Sequence, residues 1–420
     1  MHQPKTFESP QRQQGVATIF ITIVLLLAVG LIALYANRGA IMEQRLAANE
    51  IRAKQAFAAA NAGLDAALAQ WRAVTPNIPT TNADRVALTT LQNGGGQASY
   101  FQAAYYNSDP AVVKPACPAL RTTAMPLAPQ PPALTQIIVV SCGWSDDNTS
   151  VQRVSQVIGP SESTGGTVQT PLIARGTANL LTGGATIMNY FNDLTIWSGG
   201  SVLGQSMTGK TFVRNIATNA IASENDPYRV TGSPACLNPP AGYECSTQGG
   251  TIGHDTVTGD TNLANKTPDQ FFQYLFGKEL TAYRDTVVDP TNILSGNNTS
   301  SLVGMKNEVV WIEGNASFPN GSPVIGAARI PGNPGTPAAP VIIIVHGDLD
   351  LSGFNGEING MIYVHGNVTG NGSPTIYGAM IVAGNANASG NLKIIFDPVG
   401  LTNTPNIGRA AKLPGTWRDW

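Results

Sequence analysis

The stretch VATIFITIVLLLAVGLIALYA, Val16 to Ala36, decides how the rest of the chain is read. It holds 21 residues without a charge, and as a helix it measures about 31 Å, the thickness of a bilayer's hydrocarbon core. A secretory signal would carry a shorter apolar run ended by a small-residue cleavage site, whereas this run passes directly into further helix-forming sequence. It is read as an anchor. The leader before it, MHQPKTFESPQRQQG, sets Lys5 and Arg12 against Glu8. That positive excess keeps the leader in the cytoplasm and puts everything after Tyr35 across the membrane.

Beyond the apolar span, residues 37–72 read NRGAIMEQRLAANEIRAKQAFAAANAGLDAALAQWR, rich in strong helix formers, and no proline occurs until Pro76. The sequence predicts one helix over 16–72, about 85 Å long. Ile41, Leu46, Ala53, Phe57, Ala60, Leu64 and Leu68 recur at near-helical spacing. The outer half of the helix is therefore expected to pack on something.

The bulk numbers suit a protein that faces the outside. Only 12% of the 420 residues are charged and the formal net charge is −2, which gives no electrostatic footprint for nucleic acid. The four cysteines, Cys117, Cys142, Cys236 and Cys245, form no CxxC pair and no histidine sits at ligand spacing. In an oxidising compartment that favours disulfides over a metal. Four cysteines allow three connectivities, of which Cys117–Cys142 with Cys236–Cys245 is preferred. The second bridge would close a loop of about 10 residues, a stabilisation of about 3 kcal/mol in the chain-entropy view.

After the helix, residues 73–160 are broken by prolines and show strand-like runs in QASYFQAAYY, QIIVVSCGWS and SVQRVSQVI. Strands packed on the helix would make an α+β head. Residues 301–400 repeat an apolar strand followed by Gly-Asp or Gly-Asn: VIIIVHGDLDLSG, MIYVHGNVTGNG and AMIVAGNANASGN, with Gly347, Gly366 and Gly384 spaced 19 and 18 apart, and a fainter copy at Gly314. Units this short cannot bury an apolar face alone, so a parallel β-solenoid is expected, with Gly and Asn at tight corners. An antiparallel meander is the alternative. Residues 161–300 form a β-rich region in which 171–204 starts the same solenoid before an insertion, and 401–420 form a tail. The fold class expected is thus α+β, a long membrane helix followed by a β-rich extracellular region.

Four constellations invite chemistry. GQSMTGKT, residues 204–211, fits the phosphate-binding loop pattern through Gly204, Gly209, Lys210 and Thr211. Its place outside the cytoplasm, where ATP is essentially absent, argues against that use. Asp348 and Asp350 would share one strand face, as polysaccharide-cleaving carboxylates could, though two acids on a strand usually make a solvated face. His346 and His365 occupy equivalent repeat positions and read as a stacked ladder rather than a metal site, since no third ligand can be named. Trp311, Trp417 and Trp420 are candidate glycan-stacking residues. No catalytic residue, metal or cofactor is assigned.

The N-terminal residues also carry a family resemblance. QRQQG followed by VATIFITIVLLL resembles a type IV prepilin leader. Residues 42–68, MEQRLAANEIRAKQAFAAANAGLDAAL, are similar to the N-terminal domain of PilX-type pilus assembly proteins at Glu43, Arg45, Asn49, Arg52, Ala56, Phe57, Ala62, Gly63 and Leu64. The resemblance implies cleavage by prepilin peptidase after Gly15 and methylation of the new amine on Val16. It makes 1–15 the leader, 16–72 the pilin-type helix and 73–160 a pilin-like head. It implies a minor pilin held in the inner membrane before assembly and then displayed at the cell surface. The partners implied are major and minor pilins and a tip adhesin. Phe20 stands where most such pilins carry a glutamate, which removes a charge pairing with a neighbouring subunit and points to a tip position. Asn61 likewise replaces the acid of the usual Ala-Glu-Ala-Gly ending. The reading from a different class is a membrane-anchored solenoid adhesin or polysaccharide-active enzyme outside any filament.

Overall fold

A computed structural model describes residues 14–73, 86–92, 98–107, 116–125, 136–160, 163–164, 168–180, 183–191, 193–204, 210–215, 235–240, 242–247, 254–296, 298–327, 339–397, 401, 407–408, 410–412 and 416–419. One helix, α1 (Gln14–Ala73), runs 60 residues without a break, about 90 Å at the usual rise. From Thr18 to Ile51 every residue is exposed except the half-buried Ala48. Beyond Arg52 one face is covered: Ala56, Ala59, Ala60, Leu64, Ala67, Leu68 and Trp71 are buried.

The cover is an antiparallel sheet of β1 (Val86–Gln92), β2 (Ala98–Asn107), β3 (Ile137–Trp144) and β4 (Val151–Pro160). Ala60, Leu64, Ala67, Leu68 and Trp71 share a core with Ala103, Tyr105, Ile137, Val139, Val154 and Ile158. The stripe expected from spacing needs correcting. Ile41 and Leu46 are 43% and 71% exposed because the sheet does not reach them, and Phe57 lies beside the buried face rather than in it. The docked face is the one made of small residues, for a steric reason. A Cβ on Gly143 would lie 2.1 Å from the Ala56 carbonyl oxygen and 2.3 Å from the Ala60 nitrogen, so helix and strand backbones meet where neither carries bulk. Two further strands complete this sheet from the chain's end: Ala410–Lys412 pairs with Ile158–Pro160 and Arg418–Asp419 with Val154–Ser155, both antiparallel.

Between β4 and those last strands lies the β-rich body, with a 13-stranded sheet and a 4-stranded sheet. Glu308–Glu313, Val341–His346, Glu357–Val364 and Thr375–Val382 lie side by side in parallel register. The four-stranded sheet, Ala316–Ser317, Leu349–Asp350, Val368–Gly370 and Ala386–Ala388, is parallel throughout. The large sheet is mixed, because Thr211–Arg214 meets Tyr243–Cys245 antiparallel. The expectation that 171–204 begins the stack also needs correcting. Leu172–Ala174 pairs with Met380–Val382, and Thr186–Met188 with Lys393–Ile395, so this early segment covers the end of the last repeat.

Strand residues alternate between two cores. Val341, Ile343, Val345, Ile362, Val364, Met380 and Val382 point to one, and Ile342, Ile344, Met361, Tyr363, Ala379 and Ile381 to the other. The second face is covered by helices the sequence reading did not anticipate: α2 (Thr261–Ala264), α3 (Pro268–Phe276) and α4 (Leu280–Val287). Phe271, Phe272, Phe276 and Tyr283 pack against Tyr363 and its neighbours. This double burial is why VIIIVH is apolar at consecutive positions rather than alternate ones.

Candidate assembly helix and the surfaces around it

The family-motif residues divide along α1. Glu43, Arg45 and Asn49 are exposed on the uncovered half. Arg52 stands where the head begins: its Nε is 2.7 Å from Asp147 Oδ2 in the β3–β4 turn, and its Nη1 lies 3.4 Å from Asn49 Oδ1. Asp147 is held down to about 2 by donors from Thr149, then Ser145 and the Arg52 charge, against a small burial penalty. Phe57 presents its edge to Trp417, with centroids 6.0 Å apart. Gly63 lies under the sheet, where a Cβ would meet the Ser141 hydroxyl and the Phe101 ring. Asn61 Nδ2 donates to the Phe57 carbonyl at 3.1 Å. Lys412 also pairs with Asp65 across a 2.5 Å contact, joining the returning tail to the helix. The outer motif positions are thus docking residues, and the inner ones face outward.

Ahead of them Ile19, Phe20, Leu26, Leu31, Ile32 and Tyr35 are all more than half exposed. The helix is long and apolar enough to cross a membrane, and none of its apolar window is buried. Gly15 and Val16 fall inside α1, while the leader before residue 14 lies outside the described residues.

Both disulfides join nearby elements. Cys117 is bridged to Cys142, with Cα atoms 5.7 Å apart, and Cys236 to Cys245, with Cα atoms 5.2 Å apart.

The repeat residues have defined tasks. Gly366 N–H donates to the Gly347 carbonyl at 2.8 Å, Gly384 to Gly366 at 2.9 Å, and Gly176 to Gly384 at 3.0 Å. A Cβ on Gly384 would lie 2.4 Å from the Gly366 oxygen. Glycine is needed there for close stacking, whereas Gly314, at the faint first copy, has a left-handed φ of 76° and open space where a Cβ would be, as a tight corner requires; Gly360 (138°) and Gly378 (142°), inside strands, combine a positive φ with a carbonyl oxygen 2.0 and 1.9 Å from a would-be Cβ. The polar residue after each glycine accepts from the next repeat's backbone. Asn315 Oδ1 accepts from Asp348 N–H, Asp348 from Asn367, Asn367 from Asn385, and Asn385 from Thr177, at 2.6–2.9 Å.

That ladder accounts for Asp348, and Asp350 Oδ1 accepts from Ser352 N–H at 2.9 Å. Both carboxylates serve the backbone. Of the phosphate-loop match, residues 205–209 lie outside the described residues. Lys210 Nζ donates to the Gly183 carbonyl, and Thr211 opens a strand, Thr211–Arg214, where phosphate binding would require the N-terminus of a helix. Trp311 is 1% exposed and belongs to a core, so it offers no sugar platform; Trp420 lies outside the described residues.

His346 and His365 are neighbours as expected, with ring centroids 5.3 Å apart, but they meet edge to face at 64° rather than stacked, and they bridge charges from α3 and α4. Arg284 Nη1 on α4 is 3.0 Å from Glu313 Oε1, and His346 Nδ1 is 3.1 Å from Glu313 Oε2. His365 Nε2 is 3.4 Å from Asp269 Oδ1 on α3, and Tyr363 Oη is 3.3 Å from His365 Nδ1. Burial pushes Glu313 up, but hydrogen bonds from His346 and Arg284 outweigh it and hold the carboxyl low. Burial, then the nearby His346 and Arg175, lowers His365 against the pull of Asp269. Among the described residues no group of three or more His, Cys, Asp or Glu is arranged to hold a metal ion.

Comparison with known proteins gives a family match and matches among solved structures. No curated protein matches the chain. The crystal structure of the competence-associated pilin ComZ from Thermus thermophilus aligns over 88% of this chain and 98% of that one, at 14% identity and a TM-score of 0.22, too low to bear on the fold. Residues 14–65, most of the long helix, match the family model described as PilX N-terminal.

Proposed function

We propose that the chain is a minor-pilin-like, non-enzymatic component of a type IV pilus, processed by prepilin peptidase between Gly15 and Val16. Before assembly it sits in the inner membrane, and it then joins major and minor pilins at or near the tip, with its β-rich body on the outside. The observation that carries this reading is the uncovered helix. Residues 37–51 lie beyond the apolar span and before the head, a stretch of about 22 Å, yet Ile41, Met42, Leu46 and Ile51 are exposed there. A plain anchor needs no such stretch. Neighbouring helices in a filament would cover it. Phe20, without the charge common at that position, suits a subunit added once rather than repeatedly.

The body is read as a β-solenoid, because parallel neighbours follow one another at offsets of 18 and 19 residues, as in Met361↔Ala379 and Ile342↔Met361. An experimental structure with antiparallel neighbours between residues 341 and 382 would sink that part. For the assembly role the test is the intact mass after co-expression with a prepilin peptidase, beside a Gly15→Ala control. Loss of residues 1–15 with one methyl group gained, absent in the control, is expected. An uncut chain would overturn the proposal.

A further inference from the structure

The helical cover carries a polar surface that the assembly reading does not use. Along TNLANKTPDQFFQY, Asn262, Asn265 and Lys266 stand at i, i+3 and i+4, and Gln270, Gln273 and Tyr274 repeat that spacing eight residues on. Gln270, Gln273 and Tyr274 share one face of α3, while Asn262 lies in α2 and Asn265 and Lys266 follow its end, in the link to α3. The two triplets line one open cavity of about 610 Å³, within the range of small-ligand sites, roughly 300–1,000 Å³. On α3 the inward positions Phe271, Phe272 and Phe276 are buried, while Tyr274 is 56% exposed. A large aromatic turned outward among amides is not serving the core.

The lining chemistry is narrow. It contains four primary amides, one aromatic ring, one threonine hydroxyl and one ammonium, and no carboxylate. Gln270 Oε1 accepts from Thr267 N–H as part of the α3 cap, leaving its NH2 group. A primary amide is donor and acceptor at once and so matches a hydroxyl pair, while an aromatic face gives an apolar platform with a polar tip. The single charge, Lys266 Nζ, is held 4.9 Å from the centroid of the Tyr274 ring.

We propose that this cavity binds a neutral, hydroxyl-rich oligosaccharide through the amides of Asn262, Asn265, Gln270 and Gln273, with Tyr274 stacking on a sugar ring. The proposal rests on the display reading only for its biological setting, since binding is measurable whether or not the chain enters a filament.

The test is isothermal titration of the full chain in detergent with maltohexaose and chitohexaose, and with an oligogalacturonate as the anionic counterpart, at low and high salt. Saturable binding of a neutral hexasaccharide is expected, little changed by salt because no charge pair forms. It should weaken at least tenfold in Tyr274→Ala and in Asn265→Ala/Gln273→Ala, with unchanged circular dichroism, and persist in Lys266→Gln. Three results overturn the site: no binding of either neutral sugar, neutral binding untouched by the Tyr274 and amide variants, or binding confined to the anionic sugar and lost in Lys266→Gln. An uncut leader alongside intact sugar binding would sink the pilus reading and leave this one standing.

Discussion

At the scale of single residues, the adjoining imidazoles of His346 and His365 make the helical cover sensitive to pH. His365 faces Asp269 from α3, His346 and Tyr363 from the sheet, and Arg175 from the segment covering the last repeat, and His346 in turn faces Glu313 and, through it, Arg284 from α4. The folded pKa of His365 is depressed, chiefly by burial. The unfolded chain therefore binds more protons just below its ordinary value of about 6.5, and stability rises with pH there. The contribution is complete above about 6.5 and is lost as pH falls through the lower folded value. Amide hydrogen exchange across α3 should thus speed up between pH 7.5 and 5.5, after correction for the intrinsic rate. In His365→Gln that pH dependence should flatten. Identical pH dependence in both proteins would show that His365 does not couple protonation to the cover.

At the scale of elements, the cover holds by aromatic packing. Phe272 lies 4.4 Å from Phe276, 5.0 Å from Tyr363 and 5.2 Å from Tyr283, centroid to centroid, and is fully buried. Phe272→Ala should cost about 3–5 kcal/mol, while the adjacent outward Gln273→Ala should stay within about 0.5 kcal/mol; denaturant titration of both variants measures the contrast. Equal effects would mean that α3 is not seated on the sheet by this ring. α3 has a legible start, since Thr267, Pro268 and Gln270 spell a capping box with proline at the first turn, but a helix of nine residues among Gly- and Asn-rich runs gives little periodicity to set it apart from an insertion between strands. Long periodic or strongly apolar elements were readable: α1, and the runs that became β2, β3 and β4. The β1 strand was not, because VALTTLQ is largely exposed and lacks an apolar face. Nor were Ala410–Lys412 and Arg418–Asp419, strands of three and two residues placed only by their partners in β4 some 250 positions earlier in sequence. The glycine repeat was visible, yet its cause was not. Close backbone stacking and left-handed turns both select glycine, and only the structure separates Gly384, stacked on Gly366, from Gly314, whose φ is 76° with nothing near a would-be Cβ.

At the scale of the whole molecule, two halves of one helix meet different surroundings. The boundary falls at Arg52, whose contact with Asp147 is the first tie between α1 and the head. That pair is about one-third exposed on both sides, so it contributes at most about 1 kcal/mol. The attachment rests instead on Ala56 through Trp71 and the close approach at Gly143. Residues 18–51 bury almost nothing in the isolated chain, and removing surface that is not buried removes no hydrophobic stabilisation. A chain beginning at Arg52 should therefore be monomeric without detergent, and the full chain should require detergent to stay dispersed. The shortened chain should melt within a few degrees of the full chain in detergent, measured by near-ultraviolet circular dichroism, with size-exclusion light scattering reporting mass. Aggregation of the shortened chain, or a melting point lower by 10 °C or more (a loss of several kcal/mol at this size), would mean that the uncovered half supports the head. The same division explains why so long a helix remains continuous. The apolar side chains of its inner half stay exposed in the isolated chain, whereas its outer half answers to the sheet beneath it.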